Sequence, residues 1–435
     1  MRSKGEKMKT KISKLNDYIE NLAAHNYFNG AVLVGYKGEV LLKKGFGFSS
    51  FQYDLPNRPA TKFRIGSLTK AFTAMAIVKL HDKGALNLDD SLNTFFPDYP
   101  KGASMTIRHL LNHSSGIANF TSTPDYWTKT MRLQATLQEV IESFQSMPLE
   151  FEPGTNMSYS NSGYLLLTAI IEKVSGMEFA DFLQKEIFDE LGLTSTGVDN
   201  GRSIVKSLAQ GHTVWEKVVH TDYIDMSFPL GAYGMYSTVE DLYQWCQALL
   251  KNSLIDRGLQ DQMFTSRNGY GFGWFIEDGA QKEVSHFGDI NGFVNHLVMY
   301  PEEELVVIVL SNINITPVIQ ISGDLIRIVF GKEVEGFPPF KPLKIESKNL
   351  VGTYLNGEET VSISFDKELY VVVPKMYGVP YKFKLLPIEA DQARVVCKSD
   401  WIHDTYIFRL NDNGMPLSIE LIDSYGARTE FVREK

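Results

Sequence analysis

The sequence predicts an α+β protein: one antiparallel sheet flanked by helices, a helical region beside it, and a small all-β barrel at the end. Three observations predict it. Strand-like apolar runs occur near residues 31–44 and again at 273–311, and the stretch between them reads as helix. Residues 334–348 carry Pro338, Pro339 and Pro342 and read as a linker. Beyond them nearly every apolar run is short and regularly spaced, as in a barrel or sandwich. The expected division is therefore 1–333, a linker at 334–348, and an all-β unit at 349–435.

The elements follow in order. Ile12, Leu15, Tyr18, Ile19, Leu22 and Ala23 keep helical spacing. Two apolar runs, 31–36 and 39–44, flank Lys37-Gly38 and read as a hairpin. From Ser67 a helix runs to Gly84, a stop residue, with Lys79, His81 and Lys83 in its last turns. Residues 86–96, 107–116, 137–144, 164–174 and 179–191 read as further helical pieces. A glycine-rich loop is expected at 231–236, then a helix at 238–250 capped by Ser237 or Thr238. Strands are expected at 273–276, 283–287, 293–300 and 305–311, separated by Asp278-Gly279, Asn291-Gly292 and Pro301-Glu302-Glu303-Glu304. A helix at 317–330 closes this region. About eight short strands fill the remainder.

Composition excludes several classes. The chain has 435 residues, 43% hydrophobic and 22% charged, an ordinary globular balance. A net charge of −9 with no basic stripe argues against a nucleic-acid partner. Two cysteines, Cys246 and Cys397, fall in different expected elements and predict no disulfide framework. No run approaches the ~18 apolar residues of a membrane span. The basic start has no apolar stretch behind it, so a cytoplasmic protein is expected.

The chemistry is expected around Ser67. The segment 68–80 is apolar on nearly every side, which marks a buried helix. Yet its first turn carries Ser67 and Lys70, and residues three apart share one face. A hydroxyl beside a partly desolvated amine is what an activated serine needs. The pattern itself is short and recurs at Ser203–Lys206 and Ser364–Lys367; Ser67 alone reads equally as a helix cap. Context distinguishes the first occurrence. Tyr159-Ser160-Asn161 offers a phenol able to shuttle a proton and an amide able to hold a carbonyl. Taken singly, Tyr159 reads as a core phenol and His286 as a half-exposed strand histidine. His286-Phe287-Gly288 ends a strand, where glycine permits close approach of another backbone.

Together these pieces resemble the serine β-lactamase and penicillin-binding-protein family, of the class C β-lactamase and D-aminopeptidase type. The resemblance rests on Ser67-Leu68-Thr69-Lys70, Tyr159-Ser160-Asn161 and His286-Phe287-Gly288, in the family's order, and on family-like text at 107–117, 152–164 and 231–245. It covers roughly residues 20–330. It implies Ser67 as the acylated nucleophile, with Lys70 and Tyr159 handling its proton; which of the two is the base stays open. It implies Asn161 orienting the acyl side chain and His286 shaping the site electrostatically. The backbone N–H groups of Ser67 and of Asp289, next to Gly288, would form the oxyanion hole. No cofactor is implied. Two departures stand out. Phe287 replaces the usual Thr or Ser, whose hydroxyl binds a substrate carboxylate, and Asp289 places a negative charge where a small residue is common. Both favour neutral or cationic substrates: small amides, esters or peptides, including those with D-residues. A β-lactamase or DD-carboxypeptidase is the alternative activity, and a non-catalytic sensor or scaffold the alternative class. The C-terminal strands resemble the lipocalin-like domain of some D-aminopeptidases.

Other enzyme classes lack their marks. There is no Gly-x-Ser-x-Gly, P-loop or Gly-x-Gly-x-x-Gly. His109 and His113 are four apart but lack the Glu of His-Glu-x-x-His, and read as packing or capping residues rather than metal ligands.

Overall fold

The computed structural model describes residues 2–334, 341–345, 347–357, 359–373 and 381–434. Residues 335–340 and 346 of the expected linker thus lie outside the described residues. Helix α1 (Arg2–Ala24) leads into strands β1 (Gly30–Tyr36) and β2 (Glu39–Phe46). Lys37 and Gly38 both have positive φ (53° and 77°), as a tight two-residue hairpin turn requires. Helix α2 (Thr69–Asp82) and helix α3 (Asn161–Ser175) form the centre of the helical region. Strands β3 (Phe275–Asp278), β4 (Lys282–Ile290), β5 (Phe293–Tyr300) and β6 (Leu305–Ser311) follow, then helix α4 (Val318–Val329).

The six strands make one antiparallel sheet, in the order β3-β4-β5-β6-β1-β2, so both ends of this region meet where β1 pairs with β6. Side chains alternate across it. Val32, Val34, Val307 and Val309 face α1 and α4, where they pack on Leu15, Ile19, Leu22, Ile321 and Leu325. Ala31, Leu33, Ile308 and Leu310 face the helical region. A sheet covered on both faces explains why β6 reads as one continuous apolar run rather than an alternation. Tyr18 donates to Asp324 Oδ2 at 2.8 Å and ties α1 to α4.

Helix α2 is buried at every residue from Thr69 to Leu80. Each fully buried Phe, Met, Ile, Val or Leu there contributes about 1.5–3 kcal/mol, which anchors the helix as a fixed platform.

The C-terminal strands close into an eight-stranded antiparallel barrel: the neighbouring strands between Gly352–Asn356 and Arg428–Arg433 pair in turn, and Glu368–Val373 pairs with Tyr381–Ala390 to seal it. Tyr354, Val371, Phe383, Tyr406, Phe408 and Ile419 fill its core.

The structure departs from expectation in places. The expected loop at 231–236 is a short helix, Leu230–Tyr233, followed by strand Met235–Ser237, which pairs with Phe63–Arg64 and Gly197–Val198. The helical piece expected at 86–96 shrinks to Leu92–Phe95, because Asn87 and Asp90 side chains capture nearby backbone N–H groups in turns. The piece at 107–116 stops at Leu111, with His113 at φ 57°. The strand expected from Gly273 begins at Phe275, since Gly273 sits at φ 79°. A hairpin with no counterpart in the sequence reading, His212–Trp215 and Lys217–His220, docks on the barrel through Trp215 and Lys382. Cys246 and Cys397 are both buried and free. Among the described residues no helix is long and apolar enough to cross a membrane, and no His/Cys/Asp/Glu cluster could hold a metal ion.

Candidate active site

Ser67 sits in a 3-10 turn, Gly66–Leu68, between strand Phe63–Arg64 and α2. Thr69 Oγ1 donates to the Gly66 carbonyl at 2.7 Å and accepts from Met235 N at 3.1 Å, which pins the turn. Strand β4 lies directly on it. A Cβ on Gly288 would fall 2.1 Å from the Ile65 carbonyl oxygen and 3.1 Å from Ser67 N; one on Gly66, whose φ is 55°, would fall 2.6 Å from Asp289 N. Only glycines allow this approach, and it sets the Asp289 peptide N–H beside that of Ser67.

Lys70 is fully buried and its Nζ meets three oxygens: Asn161 Oδ1 at 2.7 Å, the Ala232 carbonyl at 2.7 Å and Ser67 Oγ at 3.1 Å. Helix α3 starts at Asn161, and Asn161 Nδ2 donates to Thr121 Oγ1 at 3.1 Å, which turns Oδ1 towards Lys70. Thr73 Oγ1 donates to the Gly231 carbonyl at 2.7 Å and fixes the segment presenting Ala232. Burial holds the Lys70 amine well below the ordinary lysine range, with Asp289 opposing it. Nζ donates to all three oxygens; of these only Ser67 Oγ carries a proton, which it can give once the amine is neutral.

Tyr159 lines the same cleft as Ser67, and burial pushes its phenol well above the ordinary tyrosine value, with the Ser67 hydroxyl opposing it. Lys70 Nζ lies 4.7 Å from its ring centroid. The ring rests on His113, with centroids 4.4 Å apart, and stacks on Phe275 at 6.2 Å. His113 Nδ1 accepts from Ser160 N at 3.2 Å, so its proton belongs on Nε2, which is buried without a hydrogen-bond partner among the described residues. Burial, then Lys70 and His286, hold this imidazole neutral.

His286 is buried rather than half-exposed. Its Nδ1 donates to the Phe287 carbonyl at 2.6 Å, and its Nε2 accepts from the Tyr270 hydroxyl at 2.9 Å. Burial pushes its pKa down to about 3. It therefore acts as an uncharged wedge, not as a cation.

Ser67 stands where two clefts meet. One, of about 370 Å³, is lined by Asn119, Thr121, Trp127, Asn161, Tyr233 and Asn291. The other, of about 480 Å³, is lined by Phe275, Glu283, His286, Phe287, Asp289 and His296. No Lys or Arg lines the second cleft among the described residues. Burial lowers His296 to about 4, so both histidines are neutral there while Glu283 and Asp289 supply negative charge.

The structure thus brings Ser67, Lys70, Tyr159, Asn161, His286, Gly288 and Asp289 into one site. It adds residues the sequence reading did not place there: His113, Tyr270, Thr121 and the Ala232 carbonyl. His109 does cap a helix, through reciprocal bonds with Thr106, but His113 lies beyond that helix and under Tyr159. Its only sequence signal was its place inside the family-like stretch at 107–117.

A family model described as Beta-lactamase matches residues 15–327, most of the chain. The chain belongs to the beta-lactamase family. Within this family it is 31% identical over 333 residues to Penicillin-binding protein 4* of Bacillus subtilis (strain 168), covering 69% of this chain and 72% of that protein. Its fold is similar to that of the octameric penicillin-binding protein homologue from Pyrococcus abyssi, at 25% identity and a TM-score of 0.67, over 97% of this chain and 100% of that one. It is also similar to the D-amino acid amidase from Ochrobactrum anthropi SV3 solved with D-phenylalanine, at 25% identity and a TM-score of 0.61, over 70% and 92%. This beta-lactamase family member therefore has the fold of the serine hydrolases that include penicillin-binding proteins and D-amino acid amidases.

Proposed function

We propose that the chain hydrolyses small amides, peptides or esters through an acyl-enzyme on Ser67. The observation that carries this reading is the buried Lys70 amine 3.1 Å from Ser67 Oγ, with acceptor-only oxygens at its other two contacts. Ser67 Oγ attacks the acyl carbonyl as Lys70 Nζ takes its proton. The carbonyl oxygen, now negative, is held by the Ser67 and Asp289 N–H groups. Tyr159, still protonated, hands a proton to the departing amine or alcohol and is reprotonated from Lys70. Water then repeats the sequence against the ester and frees Ser67.

Substrate class follows from charge. The second cleft has acidic and neutral walls and no hydroxyl at Phe287, so a free carboxylate beside the scissile bond meets repulsion and finds no donor at that position. Neutral or cationic groups fit. The similarity to a D-amino acid amidase supports D-aminoacyl amides as the first class to try. Residues 1–333 would carry this chemistry, with 349–435 as a separate unit beyond the linker.

Intact-mass measurement after exposure to D-aminoacyl amides, p-nitrophenyl esters and a chromogenic cephalosporin tests the proposal. An acyl adduct on the wild type that is absent in Ser67→Ala, with turnover of amide or ester, is the expected result. No adduct with any donor would make the chain a non-catalytic member of its family, and rapid cephalosporin turnover would overturn the reading of Phe287.

A further inference from the structure

We propose that the mouth of the C-terminal barrel is a second binding site, taking a small molecule with an apolar body and a primary ammonium head. A cavity of about 310 Å³ opens there, at the lower end of the range for small-molecule sites. Barrel residues Val361, Phe383, Leu421 and Phe431 form its apolar wall, and Ile315 and Phe287 close it from the side of the catalytic sheet. It is distinct from the Ser67 clefts and touches them only at Phe287, which lines both.

The polar groups in this wall argue for a donor. Asp404 is buried, at 7% exposure; its Oδ1 accepts from Ser424 N at 2.9 Å, and Lys398 and Tyr406 lie near the carboxyl. Asn314 Oδ1 is buried and has no hydrogen-bond partner among the described residues. Glu359 adds a second carboxylate at the rim. No Lys, Arg or His lines the cavity among the described residues. Two carboxylates, Asp404 and Glu359, against no cation in the lining favour a ligand that brings N–H donors. Tyr381 and Tyr425 add hydroxyls beside an otherwise apolar lining. Burial and the neighbouring Asp423 raise the Asp404 carboxyl to about 7, against the pull of Lys398; a bound ammonium would lower it again and release a proton near neutral pH.

Isothermal titration of the full chain with n-octylamine, n-octanol and octanoate tests this. One octylamine per chain is expected, bound at least about tenfold tighter than octanol, as a charge-assisted hydrogen bond gives, with octanoate unbound. Asp404→Asn should weaken octylamine about tenfold and leave octanol unchanged. Leu421→Trp should block both. Glu283→Gln, in the catalytic cleft, should change neither. If Leu421→Trp does not fold, Glu359→Gln at the rim replaces it, and a weaker octylamine site is expected. Absence of octylamine binding at millimolar concentration, equal binding of octanoate, or loss of binding in Glu283→Gln would each overturn the proposal. The last would seat the amine in the Ser67 cleft instead.

Discussion

Asn161 Oδ1 lies 2.7 Å from Lys70 Nζ, and the same amide's nitrogen is committed to Thr121. A neutral acceptor in that place binds either protonation state of Lys70. Replacing it by a carboxylate would not. In Asn161→Asp the negative charge favours the ammonium and raises the Lys70 pKa. The acid limb of acylation should then move to higher pH, and the rate at neutral pH should fall by about tenfold for each unit moved. Single-turnover acylation by a p-nitrophenyl ester, followed against pH, measures it. An unmoved limb would mean that Lys70 does not govern the Ser67 proton.

The same amine makes a stability prediction. Its folded-state pKa lies well below the ordinary lysine value of 10.5, so the unfolded chain binds the extra proton first. Stability from this group is present above pH 10.5 and is lost as pH falls towards the folded pKa. Lys70→Met removes that dependence. Urea denaturation of Lys70→Met should give a flatter stability profile on the alkaline side than the wild type, with acylation abolished. A parallel profile would show that Lys70 is charged in the folded state.

His113 supports Tyr159 from beneath, at 4.4 Å between centroids, with Nδ1 on Ser160 N and a backbone φ of 57°. It is a positioning residue. Asn tolerates that left-handed backbone far better than Ala does. His113→Ala should lower kcat by about tenfold or more, the order expected when a proton-transfer group loses its alignment. His113→Asn should keep the fold but recover only part of kcat, because the ring under Tyr159 is still missing. Equal kcat in both variants and the wild type would remove His113 from the site.

These residues show what a sequence can and cannot display. Ser67 and Lys70 were legible because one helical turn fixes their spacing. Strands β5 and β6 were legible to the residue, because each is an apolar-rich run behind a turn signal, Asn291-Gly292 or Pro301-Glu304, broken in β5 only by Asn295 and His296. The helix at Leu137–Phe144 was equally plain, with Thr136 and Glu139 forming its capping box. The strand Met235–Ser237 was not, since three residues carry no period and its partners, Phe63–Arg64 and Gly197–Val198, are remote in sequence. His113 and Tyr270 escaped for the same reason. Their contacts with Tyr159 and His286 are made across the fold, and nothing local marks them.

Phe287 and Asp289 flank Gly288 and line the second cleft, and on the proposed reading they set its preference. Phe287→Thr with Asp289→Ala restores a hydroxyl and removes a negative charge. Acylation by a chromogenic cephalosporin should rise by about tenfold or more, since a donor to a carboxylate contributes about 1.5–3 kcal/mol. Turnover of a D-aminoacyl amide should fall or stay level. Phe287 also packs against the core beneath α1 and α4, so the pair should be less stable by about 1–3 kcal/mol, within the range for losing part of a buried ring. Stopped-flow absorbance with both substrates distinguishes a change in preference from a general loss.

Gly288 tests the oxyanion arrangement most directly, because backbone N–H groups cannot be deleted by mutation but can be moved. In Gly288→Ala the new methyl would stand 2.1 Å from the Ile65 carbonyl oxygen and 3.1 Å from Ser67 N. Neither neighbour is a flexible side chain. Strand β4 must therefore lift from the Ser67 turn, carrying the Asp289 N–H with it. Losing one oxyanion donor costs about 10²–10³ in kcat, and that loss is the expected outcome. Substrate affinity should change less, because the donor acts on charge that develops only in the transition state. Strand β4 keeps its pairing with β5, from Val284–Met299 to Ile290–Phe293, so the variant should still fold. Far-ultraviolet circular dichroism and a thermal melt verify folding, and a kcat within threefold of the wild type would place the oxyanion elsewhere.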